Sequence, residues 1–176
     1  MGLSLNKCAY RIKCPCNNCQ KANKCQLPLT LCDADVISSA FLDEENTGDA
    51  NDFLGLNRRK LRIAFTNEIA GETLRALIAE TKNEELLKDT LIDLAKQLNG
   101  FKFLEPVYHD SEFMDILQRL FQSKELRCGD TDRLHIATAI YCKMKFFTFD
   151  EKIKEDKDTI NRIFSKEGYQ LKPYLL

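Results

Sequence analysis

The sequence predicts an α/β protein, a three-layer α/β/α sandwich in which a central parallel sheet of about four to five strands lies between helices. Short apolar segments alternate along the chain with longer segments whose apolar residues recur at helical spacing. At 176 residues the chain is also long enough for one well-buried core. Strands that alternate with helices are joined by right-handed crossovers, which give parallel strands covered on both faces.

The elements follow from these patterns in chain order. Strands are predicted at residues 27–32, 61–65, 101–108, 145–149 and 169–176. Helices are predicted at residues 35–42, 66–81, 83–100, 111–123, 131–144 and 152–168. Residues 43–52 are predicted to be a solvated loop, Thr131 is a predicted helix cap, and the pair Asn99-Gly100 is a predicted helix stop.

Two regions of different composition divide the chain into a predicted arm, residues 1–27, and a main domain, residues 28–176. Residues 1–32 carry five basic side chains and no acid, which leaves 21 basic and 27 acidic residues in the other 144. A basic arm beside an acidic body suits a polyanionic partner held near cation-binding carboxylates. The alternative is that these charges serve solubility alone.

Acidic residues follow the predicted strands at the edge where open parallel sheets carry their working sites. Asp33 and Asp35 follow the first strand, and Asp150 follows the fourth. Further acids start helices after loops: Glu68, Glu72, Asp130 and Asp132. Each acid alone is explained as a helix cap or a solvated side chain. Together they would repel one another unless a cation lay among them, and Mg²⁺ and Mn²⁺ prefer such oxygen ligands.

Three motifs in this order resemble the PIN domain nucleases. They are LCDADVISSAF at residues 31–41, FTNEIAGETL at residues 65–74 and DRLHIATAIYCKMKFFTFD at residues 132–150. The last motif is the closest to the family pattern and the middle one is the loosest. The resemblance covers residues 28–176 and leaves residues 1–27 outside.

The resemblance implies a set of site residues. The four catalytic acids, which also bind the metal, are Asp33, Glu72, Asp132 and Asp150. Asp35 is an additional metal ligand where the family often has Asn, Glu68 is the alternative to Glu72, and Asp130 could share the site. Thr148 matches a small hydroxyl residue and is predicted to contact the substrate, whereas His135 is assigned to packing.

The function that this resemblance implies is a metal-dependent endoribonuclease with Mg²⁺ or Mn²⁺ as its cofactor. Divalent ions would polarise the phosphate and activate a water molecule. Two histidines give little support to a histidine-based mechanism, and no Cys/His pairing indicates a thiol nucleophile. The alternatives are a catalytically degenerate PIN protein that binds RNA and, from the Asp-x-Asp at Asp33 and Asp35, a small-molecule phosphatase. A receiver domain is a weaker alternative.

The arm holds five cysteines within 18 residues, in the pattern C-x5-C-x-C-x2-C-x5-C: Cys8, Cys14, Cys16, Cys19 and Cys25. Such density in a segment without an apolar core predicts a bound Zn²⁺ held by four of the five. An iron-sulfur cluster and unliganded or disulfide-bonded cysteines are the alternatives. The basic residues of the arm are predicted to contact RNA phosphates: Lys7, Arg11, Lys13, Lys21 and Lys24.

The remaining expectations concern location and assembly. No apolar run approaches the roughly 20 residues of a membrane span, and the start of the chain lacks a secretory signal, so we expect a cytoplasmic protein without a membrane partner. The family resemblance implies RNA as a partner, a homodimer as one assembly, and an antitoxin-like protein as a further partner.

Overall fold

A sheet of five parallel strands forms the centre of the structure, a computed structural model that describes residues 29–42, 44–57, 62–104, 110–165 and 173–174. The strands are β1 (Leu29–Cys32), β2 (Arg62–Thr66), β3 (Lys102–Leu104), β4 (Lys145–Phe147) and β5 (Pro173–Tyr174). Their order across the sheet is β3-β2-β1-β4-β5, with β1 in the middle. The predicted arm, residues 1–27, lies outside the described residues.

Seven helices in the described residues cover the sheet and complete the predicted three-layer α/β/α sandwich. They are α1 (Ala34–Ser39), α2 (Thr47–Asn57), α3 (Asn67–Glu80), α4 (Glu84–Leu98), α5 (Ser111–Gln122), α6 (Asp130–Tyr141) and α7 (Glu151–Phe164). Among these helices, none is long and apolar enough to cross a membrane. The predicted fold class is therefore confirmed.

The central strand is buried on both faces, as expected for a parallel sheet under two helical layers. Leu31 of β1 is paired in register with Ala64 of β2 and Phe146 of β4, and all three side chains are fully buried. Ile37 of α1 and Ile136 of α6 belong to the same core. This packing fixes the carboxyl ends of β1 and β4 side by side, which is where the predicted acids begin.

Polar caps set the starts of several helices close to the predicted positions. The Thr66 hydroxyl accepts the N–H of Ile69 at 3.3 Å and caps α3. The Asn83 side chain accepts the N–H groups of Glu85 and Leu86 and caps α4. Each cap satisfies backbone donors that have no partner within the first turn of a helix. At the other end, α4 stops at Leu98, as the Asn99-Gly100 pair predicts.

Two local predictions are wrong. The predicted loop at residues 43–52 gives way to α2 from Thr47 onwards, because Ala50, Phe53 and Leu54 recur at helical spacing and are buried. The ring of Phe53 stacks on Phe147 of β4 with centroids 3.8 Å apart. Thr131 is not the cap of α6. The helix begins at Asp130, one residue before Thr131, and its cap is Gly129.

A buried carboxylate on α7 holds the segment that leads into α6. Asp156 is 3% exposed, and its Oδ2 accepts the backbone N–H groups of Arg127 at 2.7 Å and Cys128 at 2.9 Å. Two backbone donors that precede α6 are thereby satisfied away from water. The start of α6, which carries Asp132, is consequently tied to α7.

Candidate active site

A cleft of about 360 Å³ opens beyond the carboxyl ends of β1 and β4. Its lining residues are Asp33, Ala34, Asp35, Ser38, Glu72, Arg75, Ala76, Asp132 and Asp150. The five acids come from four separate parts of the chain, and the structure brings them to one place. This is the edge at which parallel α/β sheets place their ligands.

Asp33 lies at the floor of the cleft, where β1 ends and α1 begins. Its backbone N–H donates to the carbonyl of Phe147 at 2.9 Å, which continues the pairing of β1 with β4. Its Oδ1 accepts the N–H of Ala34 at 2.9 Å, and the residue is only 5% exposed. The carboxylate is therefore held in a fixed direction by the strand and by the helix that it caps.

His135 of α6 joins two of the acids. Its Nδ1 lies 3.1 Å from Oδ1 of Asp33, and its Nε2 lies 3.6 Å from Oε2 of Glu72. The imidazole is buried, as the assignment to packing predicts, but it also contacts the site, which that assignment missed. A clue was available in the sequence, because His135 stands three residues after Asp132 on one helix face.

The charges around His135 favour a positive charge at this point of the cleft. Burial by itself lowers the pKa of His135, but the hydrogen bond that its ring donates to Asp33 and the charges of Asp33, Glu72 and Asp132 outweigh it, so the pKa is raised. One ligand atom from each of Asp33, Glu72 and His135 lies within 4.8 Å of the others. A proton or a metal cation would relieve the same crowding of acids.

The remaining two acids of the prediction, Asp132 and Asp150, lie at the N-terminal ends of α6 and α7. Asp132 lies in the first turn of α6, and its Oδ2 accepts the N–H of Gly129 at 2.7 Å. Asp150 caps α7, and its Oδ1 accepts the N–H groups of Lys152 and Ile153 at 2.7 and 3.2 Å. Both carboxylates thus have one oxygen tied to backbone.

Burial and mutual repulsion of the acids raise the pKa of two of them, Asp132 and Glu72. Burial raises the pKa of Asp132, and the nearby charges of Asp33 and Asp150 add to this rise against the hydrogen bond from Gly129. Burial likewise raises the pKa of Glu72, with further contributions from Asp33 and Asp132 against His135 and Arg75. Acids so arranged hold their charged forms at a cost that a bound cation would remove.

The positions of the side chains bear on two alternatives of the sequence analysis, Glu68 or Glu72 and Asp130 or Asp132. Glu72 lines the cleft, whereas Glu68, one turn earlier in α3, is not among the lining residues. Asp132 lines the cleft, whereas Asp130 is exposed and also lies outside the lining. Of these four residues, Glu72 and Asp132 are therefore the candidates for the site.

Asp35 lines the cleft but uses its oxygens within the protein. Its Oδ1 accepts the N–H of Val36 at 2.6 Å, and its Oδ2 accepts the N–H of Phe149 at 2.9 Å and the hydroxyl of Thr148 at 3.2 Å. Burial, followed by the charge of Asp33, raises the pKa of Asp35 to about 7. These hydrogen bonds make Asp35 a bridge between α1 and the segment after β4, and its role as an additional metal ligand stays a prediction.

Thr148, which is predicted to contact the substrate, forms hydrogen bonds with two acids of the site. The residue is 1% exposed, and its hydroxyl donates to Asp35 while it accepts the N–H of Asp150 at 3.0 Å. The donor and one acceptor position of the hydroxyl are therefore used by these acids, and the contact with substrate stays a prediction. Thr148 positions Asp150 from behind the cleft.

Arg75 is a lining residue that the sequence analysis did not select. It is exposed at the cleft and stands three residues after Glu72 on α3, so the two side chains share a helix face. Its charge lowers the pKa of Glu72. Arginine is the side chain best shaped to hold a phosphate through paired hydrogen bonds.

The three cysteines in the described part of the chain do not form a nucleophile. Cys32 and Cys128 are buried, and Cys142 is partly buried. Burial, followed by the charges of Asp35 and Asp33, raises the pKa of Cys32, and burial with the Asp156 interaction raises that of Cys128 to about 12. Such thiols stay protonated and unreactive near neutral pH.

Comparison with known protein families shows which family this chain belongs to. The sequence profile described as "PIN domain" matches residues 30–157, which is most of the chain. The chain belongs to the PIN domain family. This family consists in general of nucleases, and the matched segment of the PIN domain contains all four acids predicted from it.

Solved structures share the fold of this PIN domain at low sequence identity. The structure of VapBC2 from Rickettsia felis, bound to a DNA fragment from their promoter, aligns with a TM-score of 0.55 and 13% identity over 84% of this chain and 99% of the other. PAE2754 from Pyrobaculum aerophilum aligns with a TM-score of 0.53 and 15% identity over 78% and 96%. No curated protein sequence matches the chain significantly.

Proposed function

We propose that this PIN domain protein is a metal-dependent endoribonuclease that hydrolyses phosphodiester bonds in RNA. One observation carries the proposal: Asp33, Glu72, Asp132 and Asp150 line a single cleft although they are widely separated in the sequence. The neighbouring charges raise the cost of ionising Glu72 and Asp132, and such crowding of acids in a cleft is typical of functional sites.

The residues present fit a divalent cation. Carboxylate oxygens are the ligands that Mg²⁺ and Mn²⁺ prefer, and the four acids that line the cleft offer them. When bound, such an ion polarises a phosphate oxygen and lowers the pKa of a water molecule. Asp33, Glu72, Asp132 and Asp150 are the proposed holders of the ion.

The protein itself supplies position and charge. Hydrogen bonds from Ala34 and Gly129 hold the carboxylates of Asp33 and Asp132 in place before any ligand arrives. Arg75 lies exposed on the same cleft and is suited to bind a phosphate of the RNA strand. The cleft thus combines acids that bind a cation with a base that binds the anionic substrate.

The phosphatase alternative is weaker on this geometry. It needs Asp33 as a free nucleophile and Asp35 as a proton donor, together with a lysine nearby. Asp35 instead accepts hydrogen bonds from Val36, Thr148 and Phe149, and the described lining of the cleft contains no lysine. Turnover of a generic phosphomonoester by the purified protein would revive this alternative.

The degenerate alternative, an RNA-binding protein without catalysis, differs from the proposal in its dependence on the acids. RNA cleavage is measured with Mn²⁺ or with EDTA for the wild type and for Asp33→Asn and Asp150→Asn. Asparagine caps helices as well as aspartate does, so both variants are expected to fold. We expect activity to fall by at least about a hundredfold in each, beyond the range seen when outer partners of a metal site are lost.

Asp130→Asn is the matched control for this experiment, because Asp130 lies exposed on the first turn of α6 outside the cleft. We expect it to keep the activity of the wild type. Equal activity of the wild type in EDTA and in Mn²⁺, or full activity of both acid variants, would refute the proposal, and binding of RNA without cleavage by the wild type in Mn²⁺ would favour the degenerate alternative.

We also propose that the N-terminal arm binds Zn²⁺, with an iron-sulfur cluster as the alternative. The proposal rests on the spacing of five cysteines, which lie outside the described residues: Cys8, Cys14, Cys16, Cys19 and Cys25. Elemental analysis and the visible spectrum of the purified protein distinguish zinc from iron. We expect about one zinc per chain, and Cys14→Ser is expected to lower the bound zinc and the affinity for RNA, since the basic side chains nearby would lose their fixed arrangement.

The assemblies of the protein are part of the same proposal. The similarity to VapBC2, whose structure contains a promoter DNA fragment, motivates a search for an antitoxin-like protein partner of this chain. A homodimer is the second assembly, and RNA is the expected polymer in the cleft. Light scattering of the purified protein measures its oligomeric state and so tests for the homodimer. Co-expression with neighbouring reading frames tests for a protein partner.

A further inference from the structure

The buried imidazole of His135 has a nitrogen atom that the structure leaves without a partner. His135 is 1% exposed, and its Nε2 has no hydrogen-bond partner within the described chain. The nearest acid, Glu72, has Oε2 3.6 Å away, which is beyond hydrogen-bond reach. A buried polar atom in this state calls for a ligand or another physical reason.

The other ring nitrogen sets the chemical form of the free one. Nδ1 lies 3.1 Å from the Asp33 carboxylate, which is an acceptor, so Nδ1 carries the proton. In the neutral ring, Nε2 then carries a lone pair that faces the Glu72 carboxylate. Two acceptors that face each other in a buried place are stabilised by a cation between them.

The contacts of the two ring nitrogens of His135 resemble those of a histidine that binds a metal ion. In such sites one ring nitrogen binds the ion while the other donates to a carboxylate, which fixes the tautomer and the ring orientation. Here Asp33 accepts from Nδ1, and Oε2 of Glu72 lies 3.6 Å from Nε2. Nε2 and Oε2 are thus close enough to bind one ion together.

We propose that Nε2 of His135 is a ligand of the ion in this cleft, so that the ion is held by nitrogen as well as oxygen donors. The inference rests on the proposed function of the cleft and specifies its metal. Mg²⁺ is bound by oxygen atoms and seldom by imidazole, whereas first-row transition ions accept imidazole readily. The site therefore prefers a transition ion such as Mn²⁺ to Mg²⁺.

The direct test detects nitrogen bound to the ion without any assay of activity. The protein is loaded with Mn²⁺, and pulsed electron paramagnetic resonance is recorded with natural histidine and with ¹⁵N-histidine. The chain has only two histidines, so His109→Gln and His135→Gln assign the signal. We expect a histidine nitrogen coupling in the wild type and in His109→Gln, and its loss in His135→Gln.

A binding measurement tests the preference between ions. Calorimetric titration with Mn²⁺ and with Mg²⁺ gives the ratio of the two affinities for each protein. Glutamine replaces the nitrogen donor with an oxygen donor, so we expect the ratio to fall by at least about tenfold in His135→Gln, the lower end of losses at metal sites. The ratio is expected to stay the same in His109→Gln.

Several outcomes would overturn the inference. They are the absence of histidine coupling in the Mn²⁺-loaded wild type, its loss in His109→Gln, and an unchanged affinity ratio in folded His135→Gln. If His135→Gln fails to fold, the coupling in the wild type and in His109→Gln still decides. Mn²⁺ binding and RNA cleavage without nitrogen coupling would refute this inference alone, whereas no Mn²⁺ binding at all would refute the proposed function.

Discussion

The carboxylate of Asp35 accepts the backbone N–H of Phe149 at 2.9 Å, from a residue 114 positions further along the chain. The same oxygen accepts the hydroxyl of Thr148, whose own oxygen accepts the N–H of Asp150. One buried carboxylate and one buried hydroxyl thus connect the start of α1 to the start of α7. Because Asp33 and Asp150 lie at these two starts, the connection fixes the distance between two proposed metal ligands.

Thr148→Val removes this connection while it nearly keeps the shape of the side chain. The variant leaves the N–H of Asp150 without its acceptor and Asp35 without one donor, so we expect a loss of about 1–2 kcal/mol in the free energy of unfolding. We also expect weaker Mn²⁺ binding, because Asp150 is less well held. Urea denaturation and calorimetry measure the two effects.

Thr90→Val is the control for this variant, because the hydroxyl of Thr90 donates only within its own helix, to the carbonyl of Leu86 at 2.8 Å. It should leave Mn²⁺ affinity unchanged. A Thr148→Val protein with the stability and the Mn²⁺ affinity of the wild type would show that the bridge does not position Asp150.

Divalent ions should stabilise the protein against unfolding. An ion that binds the folded chain alone adds about 2.7 kcal/mol at a hundred times its dissociation constant. We expect thermal melting to shift upwards with Mn²⁺ in the wild type and in Asp130→Asn, and to shift much less in Asp33→Asn. If Asp33→Asn gained as much as the wild type, the stabilising ion would bind elsewhere, for example at the arm.

Arg75→Ala should weaken the binding of RNA more than the chemical step. The side chain is exposed on the cleft beside the acids, where it can contact a phosphate that the ion does not hold. We expect KM to rise several-fold with little change in kcat in steady-state cleavage at moderate salt. Lys82→Ala, an exposed change just after α3 and outside the cleft lining, should leave both constants unchanged.

Asp156→Ala should destabilise the fold. The buried carboxylate accepts two backbone N–H groups, from Arg127 and Cys128, and alanine leaves both unsatisfied. We expect a loss of about 3 kcal/mol in the free energy of unfolding, the size expected for hydrogen bonds to a buried charge. Chemical denaturation measures it, and the exposed Asp158→Ala on the same helix should change stability by much less.

Phe53→Ala tests the helix that the sequence analysis missed. The ring stacks on Phe147 and is 5% exposed, so its removal opens a cavity against β4. We expect a loss of about 3–5 kcal/mol. Asp52→Ala, exposed on the same helix, is expected to have little effect, and an equal effect of both changes would contradict the burial of Phe53.

The fold was predictable because each of its signals is local. Helical and strand spacing are read within a few turns of chain, and caps such as Thr66 and Asn83 act within three residues. The error at α2 has a local cause as well. The acidic and glycine-containing stretch from residue 43 hides the apolar spacing of Ala50, Phe53 and Leu54. These three side chains are buried in the structure, where the ring of Phe53 stacks on Phe147 of β4.

The site was predictable only in part, because hydrogen bonds between distant residues do not show in a one-dimensional pattern. Asp33 and Asp150 were found from their places after strands, and Glu72 and Asp132 from the family resemblance. Nothing in the neighbourhood of Asp35 shows that its oxygens are taken by Thr148 and Phe149. Likewise, the burial of His135 was predicted, but the approach of Asp33, 102 residues away, depends on how α6 packs beside β1.

The middle position of β1 between β2 and β4 has a consequence for the timing of synthesis. Asp33 leaves the ribosome before its neighbour in the sheet, β4, and before the acid Asp150, which follow more than a hundred residues later. A growing polypeptide therefore lacks a complete set of acids until Asp150 has been translated. If the protein cuts RNA as proposed, the incomplete nascent chain cannot cut the mRNA that encodes it.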